Sequence, residues 1–351
     1  MGKITTIGLD IAKNVFQVHG IDADGHVVLR KTLRRCQMQP FFETLAPCLI
    51  GMEACATAHH WARVLLQAGH DARLIPPSYI KPYLRRQKND AADAAAICEA
   101  VTRPSMRFVP VKSGGQQATL MLHSARELLM SQRTALINAL RGHFAELGIV
   151  VPQGARNVRQ LIALLEDEQH SSPAVRVALI PLAMALTETE AQVAKLDKAI
   201  LAAHRNDDVS VRLAAVPGIG PIIATCLSAS VPDAKLFEGG REFAAWLGLV
   251  PRQHSTGGKP RLGTISKMGN RHLRKLLVVG AHAALYRMRK ESRDTPLANW
   301  ARGLLSKKPF KLVAVALANK IARIAWVIMA RSINFQPGYA TGDSAKVAAS
   351  A

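Results

Sequence analysis

The stretch Ile4 to Lys13, ITTIGLDIAK, decides the fold of the N-terminal part of the chain. β-Branched and apolar residues run up to Gly8 and Leu9, which is the composition of a buried strand. Asp10 stands where that strand should end. An acid in this place is either a cap for the following turn or helix, or part of a functional site, and this stretch alone does not choose.

Strands and helices alternate through the first hundred residues. Val15 to Ile21 and His26 to Leu33 have the alternation of strands, and Leu49 to Glu53 (LIGME) is a buried strand that again ends in an acid. Two helices and one more strand are predicted at 39–45, 57–69 and 72–75. The pattern predicts an α/β domain over residues 1–110.

Two further acids, Asp90 and Asp93, open the alanine-rich stretch NDAADAAA, whose composition predicts a helix start. At i and i+3 they share one face of the first turn, with Cβ atoms about 5 to 6 Å apart. The helix dipole also favours Asp there, so this pair alone would be an ordinary helix start. Together with Asp10 and Glu53, it forms four carboxylates suited to two hard cations such as Mg²⁺.

Basic residues dominate the composition, with 46 Lys and Arg against 25 Asp and Glu, and a formal net charge of +21. Such an excess indicates a polyanionic partner, most often nucleic acid and less often a membrane surface. Several cations precede the Asp pair, where they would meet phosphates: Lys81, Arg85, Arg86 and Lys88. Apolar runs look shorter than a membrane span and no signal-peptide pattern opens the chain, so we expect a cytoplasmic protein outside the membrane.

The cysteines are scattered, odd in number and never spaced as C-x-x-C: Cys36, Cys48, Cys55, Cys98 and Cys226. This arrangement indicates neither a disulfide framework nor a zinc site. We therefore expect them to act as small buried hydrophobic side chains.

A long helix is predicted from Gln116 to Gly148, where apolar residues recur at helical spacing for about nine turns. A second apolar stripe, Leu186 to His204, predicts another helix. The two could form an antiparallel hairpin or a contact between chains, and the sequence does not choose. Residues 111–207 are interpreted as a helical, coiled-coil linker with a polar connection at 151–176.

The sequence VPGIGP, Val216 to Pro221, stands between two short apolar stretches. Two glycines around one apolar residue allow a tight turn whose backbone N–H groups can bind a DNA phosphate, as in helix-hairpin-helix modules. Gly218 and Gly220 are then nucleic-acid-binding residues. A plain turn between packed helices has the same pattern.

The stretch Phe243 to Arg274, FAAWLGLVPRQHSTGGKPRLGTISKMGNRHLR, combines hydroxyls, glycines and cations. A short helix should end at Trp246 and Leu247, a loop should cover 251–259, and a helix should begin near residue 272. Cations dominate beyond it as well, because residues 252–331 contain eighteen Lys and Arg but only Glu291 and Asp294 as acids.

A loop of this kind suits a scissile phosphate. Glycines let the backbone approach closely, cations offset the charge that develops on phosphorus, and a serine hydroxyl can attack it. Nucleic-acid contacts are expected at Arg252, Gly257, Gly258, Lys259, Arg261, Lys267, Arg271 and Arg274. The alternative is a flexible basic loop without chemistry. Gly258-Lys259 lacks the full phosphate-loop spacing, so nucleotide hydrolysis is not supported.

In their order along nearly the whole chain, GLDIAK, GMEA, KNDAADA, VPGIGP and WLGLVPRQHSTGGKPRLGTISKMGNRHLR resemble the motifs of DEDD-type insertion-sequence transposases, the bridge-RNA-guided recombinases. The resemblance implies an RNase H/RuvC-like α/β domain at 1–110 and an oligomer-forming helical linker at 111–207. It also implies a mainly α C-terminal serine transposase domain at 208–335, with a helix-hairpin-helix-like turn, and a disordered tail at 336–351.

The resemblance also carries over to single residues. It implies that four catalytic acids hold Mg²⁺: Asp10, Glu53, Asp90 and Asp93. It likewise implies that Ser255 is the nucleophile that becomes joined to DNA, and Thr256 would take that role if the alignment shifted by one residue. The implied partners are donor and target DNA, a structured guide RNA from the element, and further copies of the chain in a dimer or tetramer. In such an oligomer the serine of one subunit meets the acids of another.

Three other classes of function are open on the residues alone. A RuvC-like metal-dependent endonuclease for Holliday junctions or other branched DNA needs the four acids and no serine nucleophile. A sugar-kinase or actin-like ATPase shares the strand order but needs glycine-rich phosphate hairpins, and none follows Asp10. An architectural DNA binder would explain the charge and leave the four acids without a role.

Overall fold

The computed structural model of the chain describes residues 3–84, 90–166, 172–256, 259–290 and 294–337. The chain forms two compact units, Met1–Gly114 and Gly115–Ala351. The predicted boundary at residue 207, between a helical linker and a C-terminal domain, stays a prediction. Within the tail predicted for 336–351, residues 338–351 lie outside the described residues. The predicted phosphate-binding cations in 85–89 also lie outside them.

The first unit is a five-stranded sheet with helices on both faces. Its elements are β1 (Thr6–Ile11), β2 (Val15–Ile21), β3 (Val27–Arg34), α1 (Met38–Glu43), β4 (Leu49–Glu53), α2 (Ala58–Gln67), β5 (Asp71–Ile75), α3 (Pro77–Ile80) and α4 (Asp90–Val101). The strand order is β3-β2-β1-β4-β5. Pairing is antiparallel from β1 to β3 and parallel from β1 through β4 to β5. The α/β class predicted for the N-terminal residues is confirmed.

Strand β1 lies in the middle of the sheet and packs on one face against α1 and α2. Ile7 and Leu9 are fully buried there, in a core that includes Phe42 of α1 and Trp61 of α2. Because successive residues of a strand point to opposite faces, Gly8 and Asp10 fall on the other side of the sheet.

On that other side, glycines let helix α4 come close to the sheet. A Cβ atom built on Gly8 would lie 2.0 Å from the carbonyl oxygen of Ala94, and one on Gly51 would lie 2.7 Å from the Cβ of Val101. Gly8 and Gly51 are neighbours in the parallel register of β1 and β4. Any larger side chain at either position would push α4 off the sheet.

In its described residues, the second unit is mostly helical and carries one β-hairpin. Its elements are α5 (Gly114–Glu146), α6 (Val158–Glu166), α7 (Pro173–Arg205), α8 (Asp208–Ala214), α9 (Pro221–Ser230), α10 (Gly240–Trp246), β6 (Pro251–Thr256), β7 (Lys259–Ile265), α11 (Arg271–Lys290), α12 (Pro296–Leu305) and α13 (Phe310–Arg331). Its main core lies among α8 to α13, where Leu277, Leu317 and Ile321 are fully buried.

The two long helices, α5 and α7, pair within the chain. Arg126 donates from Nε to Asp197 at 2.6 Å, and Arg133 donates from Nε to Glu190 at 2.8 Å. Since the partner's number falls as the arginine's number rises, the helices run antiparallel. Of the two predicted alternatives, the antiparallel hairpin within one chain is therefore the one observed.

The connection predicted for 151–176 does join the two long helices, but it contains a short helix, α6, that was not predicted, and α7 already begins at Pro173. Leu161 and Leu165 of α6 are buried against Phe144 and Leu179 of the long helices. These few apolar residues close a small core at the tip of the hairpin, and scattered polar residues concealed them in the sequence.

Two helices, Pro173–Arg205 and Phe310–Arg331, are long and apolar enough to cross a membrane by length and composition alone. The expectation of shorter apolar runs is corrected to that extent. The second of these helices buries Leu317, Ile321 and Ala325 in its unit, and the first carries the paired acids described above. Core helices pass the same test, so it is weak support for a membrane span.

Candidate active site

The acids at the two strand ends share one face of the sheet. Asp10 follows Gly8 by two residues on β1, and Glu53 follows Gly51 by two residues on the parallel neighbour β4. The alternation of strand residues places both acids on the face that α4 covers. Asp90 and Asp93 form the first turn of α4, as predicted.

Three of the four acids meet. One carboxylate oxygen from each of Asp10, Asp90 and Asp93 lies within 4.8 Å of the others. Asp10 and Asp93 are half-buried and Asp90 is exposed. Glu53 is not part of this close group, but its negative charge acts on Asp10. The structure therefore brings three of the predicted ligands together and leaves the fourth near enough to interact.

The acids repel one another across this site. Burial, and then the negative charges of Asp93, Asp90 and Glu53, raises the pKa of Asp10 to about 6. A divalent cation would offset that repulsion, because carboxylate oxygens are the preferred ligands of hard cations. The donor set thus fits such an ion.

Cys55 is a neighbour of the acids that the sequence analysis did not assign to the site. Burial, followed by the charge of Glu53 and with a smaller contribution from Asp10, raises the pKa of its thiol. The thiol is therefore protonated at neutral pH and is a poor ligand for a hard cation. The sequence does place Cys55 two residues after Glu53, and this spacing could have predicted that the thiol lies near the acids.

We expect Asp10→Asn to stabilise the metal-free protein. Because the folded-state pKa of Asp10 lies above its usual 3.8, the folded protein binds this proton more tightly than the unfolded chain does. The charged carboxylate therefore lowers the free energy of unfolding as pH rises from about 4 through about 6. After a discount for the partial exposure of the group, the neutral amide should gain about 1 kcal/mol at pH 7.

Denaturant unfolding in EDTA at pH 7 and at pH 4 measures this difference in stability. The gain should be clear at pH 7 and should shrink at pH 4, where Asp10 is itself neutral. An Asp10→Asn protein that is less stable than wild type at pH 7 would contradict the electrostatic account.

Ser255 lies in a β-hairpin, where a loop was predicted. Strands β6 and β7 are antiparallel, with Ser255 paired to Pro260 and Thr256 to Lys259. The loop prediction for 251–259 is therefore wrong over its strand residues. Two glycines between two short strands are a hairpin signal. Those glycines, 257 and 258, lie outside the described residues.

The register of the hairpin separates the two candidate nucleophiles. Positions of a strand alternate between two faces, and directly paired positions share a face. Positions 254, 256, 259 and 261 consequently lie on one face, and positions 253, 255, 260 and 262 lie on the other. Position 256, not 255, shares the face of Arg261.

The base of the hairpin is fixed by the turns on either side. The backbone N–H of Ser266 donates to the carbonyl of Val250 at 2.8 Å. The Arg274 guanidinium donates to the carbonyls of Leu247 at 3.0 Å and Met268 at 2.7 Å. Arg274 therefore has a structural role at this base, and its contact with nucleic acid stays a prediction.

The other cations predicted to contact nucleic acid lie mostly on the surface. Arg252, Arg261, Lys267 and Arg271 are exposed, and Arg252 also donates to the carbonyl of Ser266 at 3.3 Å. Lys259 pairs through its backbone in β7. The four exposed cations lie around one hairpin and are accessible to a polyanion.

The turn VPGIGP joins helices α8 and α9, as its sequence predicted. Gly218 has a φ of +96°, and a Cβ atom on it would lie 2.9 Å from Ile321 and 3.1 Å from the carbonyl oxygen of Gly280. Packing alone thus requires glycine there. Gly220 is exposed, and phosphate binding by either glycine stays a prediction.

Two family models match the chain and define its class. A DEDD-type IS110 model, described as "Transposase", matches residues 7–149, and "Transposase IS116/IS110/IS902 family" matches residues 210–295. The first match contains the four acids and the second contains Ser255. A transposase is therefore the class of protein indicated over both units.

Full-length relatives agree with that class. A "Probable family 20 transposase" of Pseudomonas aeruginosa is 49% identical over 341 residues, which is 96% of this chain and 100% of the relative. The "Transposase for insertion sequence element IS1328" of Yersinia enterocolitica is 39% identical over 336 residues, 95% of this chain and 99% of the relative. The chain belongs to the IS110 family of DEDD-type insertion-sequence transposases, which are DNA transposase enzymes. Family membership and the acidic cluster suggest a divalent metal.

Proposed function

We propose that this transposase moves its insertion sequence by RNA-guided DNA cleavage and strand exchange, with Mg²⁺ as its metal and Ser255 as its nucleophile. The observation that carries the proposal is the convergence of Asp10, Asp90 and Asp93 within 4.8 Å in a chain of this family. The mixed sheet with an acid on its middle strand supports an RNase H/RuvC-like assignment for the first unit.

Asp10, Glu53, Asp90 and Asp93 are the residues that would hold Mg²⁺. When bound, such an ion supplies Lewis-acid stabilisation of the phosphate at the reacting position. The chain itself supplies the placement: two acids come from strand ends and two from the first turn of α4. Because Gly8 and Gly51 let α4 pack directly on the sheet, packing sets the spacing of these acids.

Ser255 would attack a phosphorus atom of the DNA backbone. The bond from its Oγ to phosphorus forms and the bond from phosphorus to a deoxyribose oxygen breaks. This leaves a phosphoserine link and a free DNA hydroxyl, which takes up the proton that the serine gives up. Residues 251–274 contain no Asp or Glu to accept that proton directly. We therefore propose that the hairpin works with the acids of another subunit in a dimer or tetramer.

The partners proposed are donor DNA, target DNA and a structured guide RNA, and the proposed location is the cytoplasm. The net charge of +21, and the excess of eighteen cations over two acids in 252–331, support binding to several polyanions at once. The exposed cations around the hairpin would contact the phosphates nearest the reacting bond.

RNA guidance is tested with protein purified without nuclease treatment. We expect one discrete RNA, encoded by the element, to copurify and to be required for recombination of donor and target DNA. Its affinity should fall steeply with salt, because each neutralised phosphate contributes a slope of about −0.9 in a duplex and about −0.7 in a single strand. RNA of random sequence, or recombination without RNA, would contradict guidance, and a flat salt response would contradict a polyanion-dominated interface.

A further inference from the structure

A second group of possible metal ligands lies in the helical unit. His123 of α5, Cys226 of α9 and His272 of α11 each offer one ligand atom, and these atoms lie within 4.8 Å of one another. His123 is 2% exposed and Cys226 is 1% exposed, while His272 is half-buried. The fold assembles this group from three helices that are far apart in the sequence.

Each histidine has one ring nitrogen near an oxygen atom and one without a partner. His123 Nε2 lies 3.0 Å from Thr225 Oγ1, and His272 Nδ1 lies 3.7 Å from the carboxylate of Glu127. In the part of the chain that the structure describes, His123 Nδ1 and His272 Nε2 are buried without a hydrogen-bond partner. Buried polar atoms are rarely left in this way, so two in neighbouring rings require an explanation.

The surrounding hydrogen bonds indicate where the protons are. The Thr225 hydroxyl donates to the carbonyl of Pro221 at 2.8 Å, so its oxygen is an acceptor for the N–H at His123 Nε2. The Glu127 carboxylate lies 3.7 Å from His272 Nδ1, which is too long for a hydrogen bond, but its negative charge favours the proton on that nitrogen. The two partnerless nitrogens therefore carry lone pairs, and the single S–H of Cys226 can donate to only one of them.

Protonation does not resolve this arrangement. Burial, and then the charges of His272 and Arg126, lowers the pKa of His123 to about 4, and burial also lowers the pKa of His272. Burial therefore disfavours adding a second proton to either ring. Burial raises the pKa of the Cys226 thiol to about 12, so its thiolate needs a nearby cation to form.

We propose that His123 Nδ1, Cys226 Sγ and His272 Nε2 bind a transition-metal ion of the Zn²⁺ type, with water in the fourth position. Nitrogen and sulfur ligands select such an ion over Mg²⁺. Zn²⁺ bonds of about 2.0 to 2.3 Å place tetrahedral ligand atoms roughly 3.3 to 3.8 Å apart, so a small contraction of the group completes the site.

Glu127 and Thr225 would act as positioning residues for this metal. In metal-binding histidines, the N–H of the second ring nitrogen usually donates a hydrogen bond to an oxygen atom, which fixes the orientation of the ring and its tautomer. Binding releases the thiol proton to solvent. The ion would tie the beginning of the long helix α5 to α9 and α11, and so join the helical hairpin to the main core of its unit.

Cobalt spectroscopy on full-length protein without a histidine tag tests the proposal. We expect one Co²⁺ to give the absorption of a tetrahedral site with a thiolate-to-cobalt charge-transfer band, displaced by Zn²⁺ but not by excess Mg²⁺. Cys226→Ser should abolish the band. Cys55→Ser, which removes the thiol beside the acidic site, should keep it and serves as the matched control.

Glu127→Gln provides a test that does not depend on a buried substitution. It should weaken metal binding about 10- to 100-fold through the orientation of His272, and Zn²⁺ should raise the melting temperature of wild type far more than that of Cys226→Ser. A wild-type protein without the charge-transfer band, a band that survives Cys226→Ser, or unchanged affinity in Glu127→Gln would overturn the proposal.

Discussion

Asp93→Ala is expected to lower the rate of DNA strand cleavage about a thousandfold or more, since a catalytic metal contributes several kcal/mol and each 1.36 kcal/mol is tenfold. Among the charges acting on the Asp10 carboxylate, that of Asp93 comes first. Its oxygen also belongs to the group within 4.8 Å. The substitution therefore removes a central carboxylate of the proposed metal site, while the core of the first unit stays intact.

Cleavage of labelled donor DNA in Mg²⁺ measures the effect, and RNA binding shows whether the protein stays folded. Glu99→Ala is the matched control, because it removes another carboxylate from the same helix. Glu99 of α4 pairs on the surface with Arg103, which follows the helix, and an exposed ion pair of this kind contributes little to stability. Normal cleavage by Asp93→Ala would show that the proposed quartet is wrong.

The acids at the strand ends could be predicted because their pattern is local. An acid directly after a run of buried strand residues is visible in the sequence, and parallel neighbours bring such residues to one edge of a sheet. The role of Gly8 and Gly51 was not visible. Their requirement for glycine comes from Ala94 and Val101, which lie on α4 and are brought to the glycines by the fold.

The hairpin that carries Ser255 was missed for a related reason. Strand prediction relies on alternation between a buried and an exposed face, and the described side chains of β6 are exposed on both faces. The remaining signal was the pair of glycines in the middle, which is equally typical of a loop. Short apolar helices such as α6 were missed because their packing partners lie on other helices.

Cysteine spacing likewise said little about Cys226. Spacing motifs report metal sites whose ligands are close in sequence, whereas His123, Cys226 and His272 lie on three separate helices. The expectation that the cysteines are buried is confirmed for Cys48, Cys98 and Cys226, but Cys36 is exposed and Cys55 is only half-buried. The sequence alone does not show that ring nitrogens without hydrogen-bond partners lie next to Cys226.

Ser255→Ala is expected to abolish the covalent protein–DNA adduct, because the variant lacks the oxygen that would bond to phosphorus. Denaturing gels with labelled DNA should show the adduct for wild type, none for Ser255→Ala, and an undiminished amount for the neighbouring control Thr256→Ala. The four acids are untouched in both variants, so loss of the adduct would not reflect loss of the metal.

The register of the hairpin sharpens this comparison. Positions 255 and 256 lie on opposite faces, and position 256 shares its face with Arg261. An adduct that survives Ser255→Ala and disappears in Thr256→Ala would therefore move the nucleophile to the face of that cation. If no adduct forms under any condition, cleavage by the acids and metal alone, as in a junction-resolving nuclease, becomes the better account.

Mixing two inactive proteins shows whether the site is shared between subunits. In a mixed dimer of Ser255→Ala and Asp10→Ala, the first subunit has intact acids and the second has an intact serine. If serine and acids meet between subunits, one of the two sites in each mixed dimer is complete. Random exchange makes half of the dimers mixed, so activity should return to about a quarter of the wild-type level for a twofold-symmetric assembly. If each site is built within one subunit, every site in the mixture lacks either the serine or an acid, and the mixture stays inactive.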